Sequence, residues 1–386
     1  MTSGPAASGP AASGSRPARP RAARRRAAAL GALGVIAALA LAACGSSNPA
    51  PAGQSGSPAS SIDCQPGSLT GEGSTAQANA IQQWIADYQT KCGSGTTIAY
   101  NTTGSGAGRG RFIGAQVDFA GSDAAMSATE APQAQARCAG NPAWNLPMVV
   151  GPIAVAYNLS GAKDIILTPS LISQIFLGTI TTWNDQQIKD ANPGASLPAQ
   201  GIKVFFRSDD SGTTQNFTSY LHAAAPADWT ADGAQKWAGS VGEGRKGSDG
   251  VQQAVSSTPG GIGYMEYSFA DNAGLPSARV DNGGGPVTLT PATASTAINS
   301  AQITGAGNDL SLSIDYATTA AGAYPIVLAT YEIVCSQGLA APSAALLKSF
   351  LTYTAGAGQD GLAGLGYAPL PASIKAKVQA AIAELG

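Results

Sequence analysis

The stretch Arg207-Ser208-Asp209-Asp210-Ser211-Gly212-Thr213-Thr214 concentrates more hydrogen-bond donors than an ordinary turn needs. An arginine offers a planar fork that matches a tetrahedral oxyanion, and Asp209, two residues on, can pin that fork in place. Ser-Gly-Thr then falls where a helix begins, and a helix start carries unsatisfied N–H groups and a partial positive charge. The chemistry this spacing suits is the capture of a small anion. The plainer reading is an N-capped turn, since Ser and Asp cap helices often.

Two more turns have the same build. Gly71-Glu72-Gly73-Ser74-Thr75 precedes a run with Ile81, Trp84, Ile85 and Tyr88 at helical spacing. Tyr100-Asn101-Thr102-Thr103-Gly104-Ser105-Gly106-Ala107-Gly108 follows a short strand over Thr96 to Tyr100. The elements that must position these turns are readable too. Ile202 to Phe206 is an apolar strand run, and Phe217, Tyr220 and Leu221 mark one face of the helix after it. Met148 to Val150 and Ile153 to Tyr157 read as strands interrupted at Gly151-Pro152, and Thr168-Pro169 caps a helix with Leu171, Ile172, Ile175 and Phe176. Gly261 to Tyr267 and the β-branched run Tyr324 to Val334 are strand-like. Two helices close the chain, one with Leu346, Leu347, Phe350 and Leu351, the other with Ile374, Val378 and Ile382. Such alternation predicts an α/β fold.

In order along the chain, several of these stretches resemble the phosphate-binding protein of the bacterial phosphate ABC importer. They are Gly73-Ser74-Thr75, Thr103-Gly104-Ser105-Gly106, Val117-Asp118-Phe119-Ala120-Gly121-Ser122-Asp123 and Arg207 through Thr213. Leu177-Gly178-Thr179-Ile180-Thr181-Thr182-Trp183 and Gly260-Gly261-Ile262-Gly263-Tyr264-Met265-Glu266-Tyr267 extend the match, which runs from about Gly67 to the C-terminus. The resemblance implies a two-lobed periplasmic binding protein fold of the type II kind, closing on its ligand like a hinge. Extended strands near Val150 and Tyr324 would join the lobes. Lobe I would comprise 63–150 plus 323–386, and lobe II 151–322.

Carried over one residue at a time, the family's phosphate contacts fall on Thr75, the backbone N–H of Ala76, Ser105, Asp123, Arg207, Ser211, Gly212 and Thr213. Asp209 stands behind the guanidinium, and Ser74 adjoins the set. The family has an aromatic where Ala76 stands, and Arg109-Gly110-Arg111 departs from its usual helix start. The expected partners are inorganic phosphate and the membrane permease subunits of an importer. The chain would act as a monomer, without cofactor, metal or nucleic acid. Another tetrahedral oxyanion such as sulfate is the alternative ligand, and a phosphatase using the same cradle is the alternative class.

Residues 1–43 hold six Arg and no acidic residue, with Arg24-Arg25-Arg26 followed by an apolar run from Ala27 to Ala43. That is a signal peptide rather than a membrane span. It ends in Leu41-Ala42-Ala43-Cys44, which resembles a bacterial lipobox; on that resemblance Cys44 becomes the lipidated first residue at the outer face of the cytoplasmic membrane. The lipid would be the protein's one attachment to the membrane. Residues 44–62 are mostly small or polar with no charge and predict a flexible tether.

Losing six of 21 basic residues leaves 15 against 23 acidic ones, taking the net charge from −2 to −8. Such a chain is a poor nucleic-acid binder, so an anion site must rest on oriented local donors. Cys64, Cys92, Cys138 and Cys335 make an even set in an exported chain, which predicts two disulfides. One βα unit brings Cys64 to Cys92, leaving Cys138 for Cys335. Enzymatic readings lack their parts. The single histidine, His222, is placed just after a helix, with no G-x-S-x-G elbow and no His/carboxylate cluster of a two-metal phosphatase.

Overall fold

A computed structural model describes residues 62–386; the signal peptide, Cys44 and nearly all of the tether lie outside the described residues. One eight-stranded mixed sheet runs through the molecule. Its spatial order is Thr96–Thr102, Gly67–Gly73, Phe119–Ser122, Val327–Cys335, Ala143–Tyr157, Gly261–Glu266, Lys203–Arg207 and Glu243–Arg245. The first three strands are mutually parallel, with helices Ala78–Cys92 and Ser105–Ile113 between them in sequence. The last three are parallel as well, with helices Gly212–Ala224 and Gly247–Ser257 between them. Two antiparallel strands, Val327–Cys335 and Ala143–Tyr157, knit the two groups together.

The strand run expected to break at Gly151-Pro152 does not break. Ala143–Tyr157 is one buried strand of 15 residues. Its first part pairs with Val327–Cys335 as far as Pro152, and Ile153 onward pairs with Gly261–Glu266. Proline removes a ladder donor, and here it sits where one ladder hands over to the next, so the loss is least felt.

The handover also separates two cores. Leu146, Met148, Val149 and Val150 pack with Trp84, Tyr88, Phe119 and Phe350. Ile153 to Tyr157 pack with Ile172, Phe176, Phe217, Tyr220 and Tyr264. Tyr264 stacks on Phe217 with ring centroids 4.4 Å apart. The Pro291–Ile298 helix turns Ala294, Ala297 and Ile298 into the first core, although it lies between segments that belong to the second. Disulfides Cys64–Cys92 and Cys138–Cys335 form as expected, each with Cα atoms 5.3 Å apart.

What this arrangement positions is a set of strand ends. Gly73, Thr102, Ser122, Arg207, Arg245 and Glu266 are the last residues of the six parallel strands. Ligands of open α/β sheets bind outside such carboxyl ends. Each hydroxyl-rich turn singled out in the sequence follows one of them.

Candidate anion-binding site

Arg207 closes the Lys203–Arg207 strand and is 2% exposed. Its backbone N–H donates to the Tyr264 hydroxyl at 3.1 Å. Nε donates to Asp209 Oδ1 at 2.8 Å and Nη2 to Asp209 Oδ2 at 2.5 Å, the pinned fork expected of this pair. Nη1 donates to the hydroxyls of Thr213 and Ser248, each at 3.2 Å. Burial alone would raise the Asp209 carboxyl, but the bonds and charge of Arg207 outweigh it and hold Asp209 below the usual carboxylate range. Burial likewise works against the Arg207 charge and Asp209 overcomes it, so the guanidinium stays ionised.

The next turn starts a helix as its composition requires. Ser211 accepts from the Thr214 N–H at 3.1 Å, the N-cap bond of Gly212–Ala224. Gly212 is required by a close approach. A Cβ there would sit 2.5 Å from Asp123 Cβ and 2.6 Å from Ser105 Oγ. His222 lies in the last turn of this helix rather than after it. At 1.5 Å per residue that is about 15 Å from the Gly212 end.

Asp123 follows the Phe119–Ser122 strand and is 4% exposed. Ser74 Oγ donates to its Oδ1 at 2.5 Å, Thr330 Oγ1 to the same oxygen at 2.7 Å, and Ser105 Oγ to Oδ2 at 3.0 Å. Its own N–H returns a bond to Ser105 Oγ at 3.1 Å. Burial, then the negative charge of Glu266, pushes its carboxyl up to about 6 against the pull of the three hydroxyls. The Ala76 N–H donates to Ser74 Oγ at 3.0 Å. Thr75 Oγ1 meets Ser248 Oγ at 2.9 Å, a bond between residues of the two strand groups' turns.

The structure thus brings these residues together as two bonded groups, Thr75, Asp209 and Thr213 joined through Arg207 and Ser248, and Ser74 and Ser105 joined through Asp123; Gly212 lies against the second group, and Ala76 and Ser211 are bonded at the edges. It adds residues that sequence reasoning passed over. Ser248, at the start of helix Gly247–Ser257, links Arg207 to Thr75. Its signal was available, a hydroxyl at a strand–turn–helix junction like the other three. Glu266 accepts from Thr213 Oγ1 at 2.6 Å and lay inside a stretch used for the resemblance. Thr330 gave no signal, because a β-branched residue inside a strand run reads as strand.

Arg109, expected to disturb the second turn, is 7% exposed and fully engaged. It bonds Glu130 Oε1, Ser122 Oγ and Gln235 Oε1, each at 2.9 Å. Gly106 N–H donates to Asp210 O at 3.0 Å, and Asn216 Nδ2 to Asp123 O at 2.7 Å. These bonds hold the two sides of the site together. Among the described residues no group of three or more His, Cys, Asp or Glu side chains could hold a metal ion. No helix among them is long and apolar enough to cross a membrane.

Two cores bridged by long strands, with donor-rich turns meeting at the strand ends between them, fit a two-lobed solute-binding protein. Residues 49–357 match the model of a family described as the PBP superfamily domain. The phosphate-binding protein PstS 3 of Mycobacterium tuberculosis is 44% identical over 360 residues, covering 91% of this chain and 97% of that protein. PstS 2 of the same organism is 41% identical over 350 residues, covering 89% and 94%. The chain belongs to this phosphate-binding protein family. Among solved structures, a high-affinity periplasmic phosphate-binding protein (PfluDING) bound with phosphate superposes with a TM-score of 0.66 at 24% identity, over 81% of this chain and 93% of that one. The phosphate-binding protein of Stenotrophomonas maltophilia gives 0.64 at 21% identity over 81% and 93%. Both likenesses speak for the fold.

Proposed function

We propose that this protein captures inorganic phosphate outside the cytoplasm and delivers it to the permease subunits of an ABC importer. The observation that carries the reading is Arg207, buried and pinned by Asp209, with the hydroxyl-bound carboxylate of Asp123 held against Gly212 at the start of the helix that follows it. Arg207, Thr75, Ser105, Ser211, Thr213 and the N–H groups of Ala76 and Gly212 supply donors, with Ser74 and Asp209 in support. Asp123 supplies an acceptor, which a protonated phosphate can satisfy and a fully ionised sulfate cannot. The protein works by binding and not by catalysis.

Lobe I takes in 63–150 and 323–386 and lobe II 151–322, with the Pro291–Ile298 helix of the second segment lying against the first core. Cys44 carries the lipid that keeps the protein at the outer face of the cytoplasmic membrane. The relatives named as phosphate-binding proteins and the strand-end placement of the site support this reading. Calorimetric titration of the ligand-stripped protein tests it. Phosphate should give saturable binding and sulfate should give none; saturable sulfate binding without phosphate binding would sink it.

A further inference from the structure

Glu266 ends the Gly261–Glu266 strand with its side chain wholly buried. Its Oε1 accepts the Thr213 hydroxyl proton at 2.6 Å, and its Oε2 has no hydrogen-bond partner. The same Thr213 oxygen accepts from Arg207 Nη1 at 3.2 Å. A threonine hydroxyl owns one proton. While that proton is given to Glu266, Thr213 has none to give an anion.

The groups facing Glu266 make that bond a problem for an anion site. From the Lys203–Arg207 strand comes Arg207, already paired with Asp209 through Nε and Nη2. From the end of Phe119–Ser122 comes Asp123, whose carboxyl feels the Glu266 charge. Tyr367 approaches from the C-terminal segment, and Tyr264 of the same strand lies beside Arg207. The long strand contributes Gly151 and Ile153, which carry no charge. One guanidinium therefore serves two carboxylates, Asp209 and Glu266, before any ligand arrives, and the Asp123 carboxyl is near enough to feel the charge of Glu266 as well. Adding an anion beside such buried carboxylates is costly unless one of them is neutralised.

We infer that Glu266 takes up a proton as the anion binds, reversing its bond so that Thr213 turns its own hydroxyl proton to the ligand. This rests on the phosphate reading above. The proton comes from solvent and lands on Oε1, which then donates to Thr213 Oγ1. Only O–H bonds are exchanged. Glu266 is a positioning residue that acts through Thr213 and makes capture proton-coupled.

The test is a proton count. The full chain in detergent, stripped of ligand, is titrated calorimetrically with phosphate at a pH where free phosphate is the dianion. Two buffers of different ionisation enthalpy give the protons taken up. Wild type should take up about one proton more per phosphate than Glu266→Gln, whose amide donates to Thr213 permanently. Wild-type affinity should accordingly fall about tenfold more per pH unit than that of Glu266→Gln. Equal proton counts with phosphate binding intact would overturn this inference and leave the proposed function standing. A loss of binding in Glu266→Gln of about tenfold or more at every pH would overturn it too, since the carboxylate would then be needed ionised. No phosphate binding by wild type would overturn both.

Discussion

Arg207 spends two of its donor nitrogens on Asp209 and keeps one arm for hydroxyls, so its charge is fixed in place before a ligand arrives. Charge-assisted bonds are worth roughly 1.5–3 kcal/mol each. Arg207→Ala should weaken phosphate binding by at least about tenfold, measured calorimetrically. It also leaves the partly buried Asp209 without its partner, so the variant should unfold at a lower temperature. Arg207→Lys should restore part of the stability but little of the affinity, because an ammonium cannot make the fork. Wild-type affinity in Arg207→Ala would remove this residue from the site. Asp123 carries the complementary role. In Asp123→Asn the amide oxygen still accepts from Ser74 and Thr330, while the amide N–H can donate to Ser105. That variant should keep some phosphate binding and admit sulfate, which an unchanged sulfate exclusion would refute.

Among the elements, the strand–turn–helix unit was the most legible. Three of its turns could be read directly because Ser, Thr and Gly cluster between an apolar run and a helical period. The fourth, at Ser248, escaped because the strand before it, Glu243–Arg245, is three residues long and charged at both ends. Arg109-Gly110-Arg111 departs from the family's usual helix start, yet the helix forms over Ser105–Ile113. Gly108 is there for contact. A Cβ would lie 2.5 Å from Glu72 O and Gly73 Cα, so the helix can lie directly on the first strand. Neither that approach nor the continuity of Ala143–Tyr157 through Pro152 has a local signature, because both depend on the neighbouring strand. Gly212 shows how an element serves the site. Gly212→Ala should be tolerated by the helix itself, since Ala is the better helix former. Its methyl would press on Asp123 and Ser105, so phosphate affinity should fall by at least about tenfold, and the ligand-free melting temperature should fall as well because the two sides must move apart. Unaltered affinity would mean the two sides need not meet here.

At the scale of the whole molecule, the buried carboxylates make folding stability depend on pH. Glu332, in the central Val327–Cys335 strand, is 1% exposed, and neither of its oxygens has a hydrogen-bond partner. Burial pushes it up to about 8, with the charge of Asp123 adding and Gln77 beside it pulling the other way. Asp123 itself is pushed up to about 6. The sign follows from proton binding. A carboxyl raised in the folded state holds a proton that the unfolded chain has released, so stability falls as pH rises between the unfolded and folded values. For Asp123 that window runs from the ordinary value of 3.8 to about 6, and for Glu332 from 4.5 to about 8. Each unit of difference is worth about 1.4 kcal/mol. Asp209 and Glu130, held below their ordinary values, act oppositely, but only as pH falls through the acid range. Denaturant unfolding of the ligand-free protein should therefore show stability dropping from about pH 5 to about pH 8. Glu332→Gln, neutral at every pH, should flatten most of that drop above about pH 7, where Asp123 has largely lost its proton. A slope that Glu332→Gln leaves unchanged would show that Glu332 is already ionised in the folded protein.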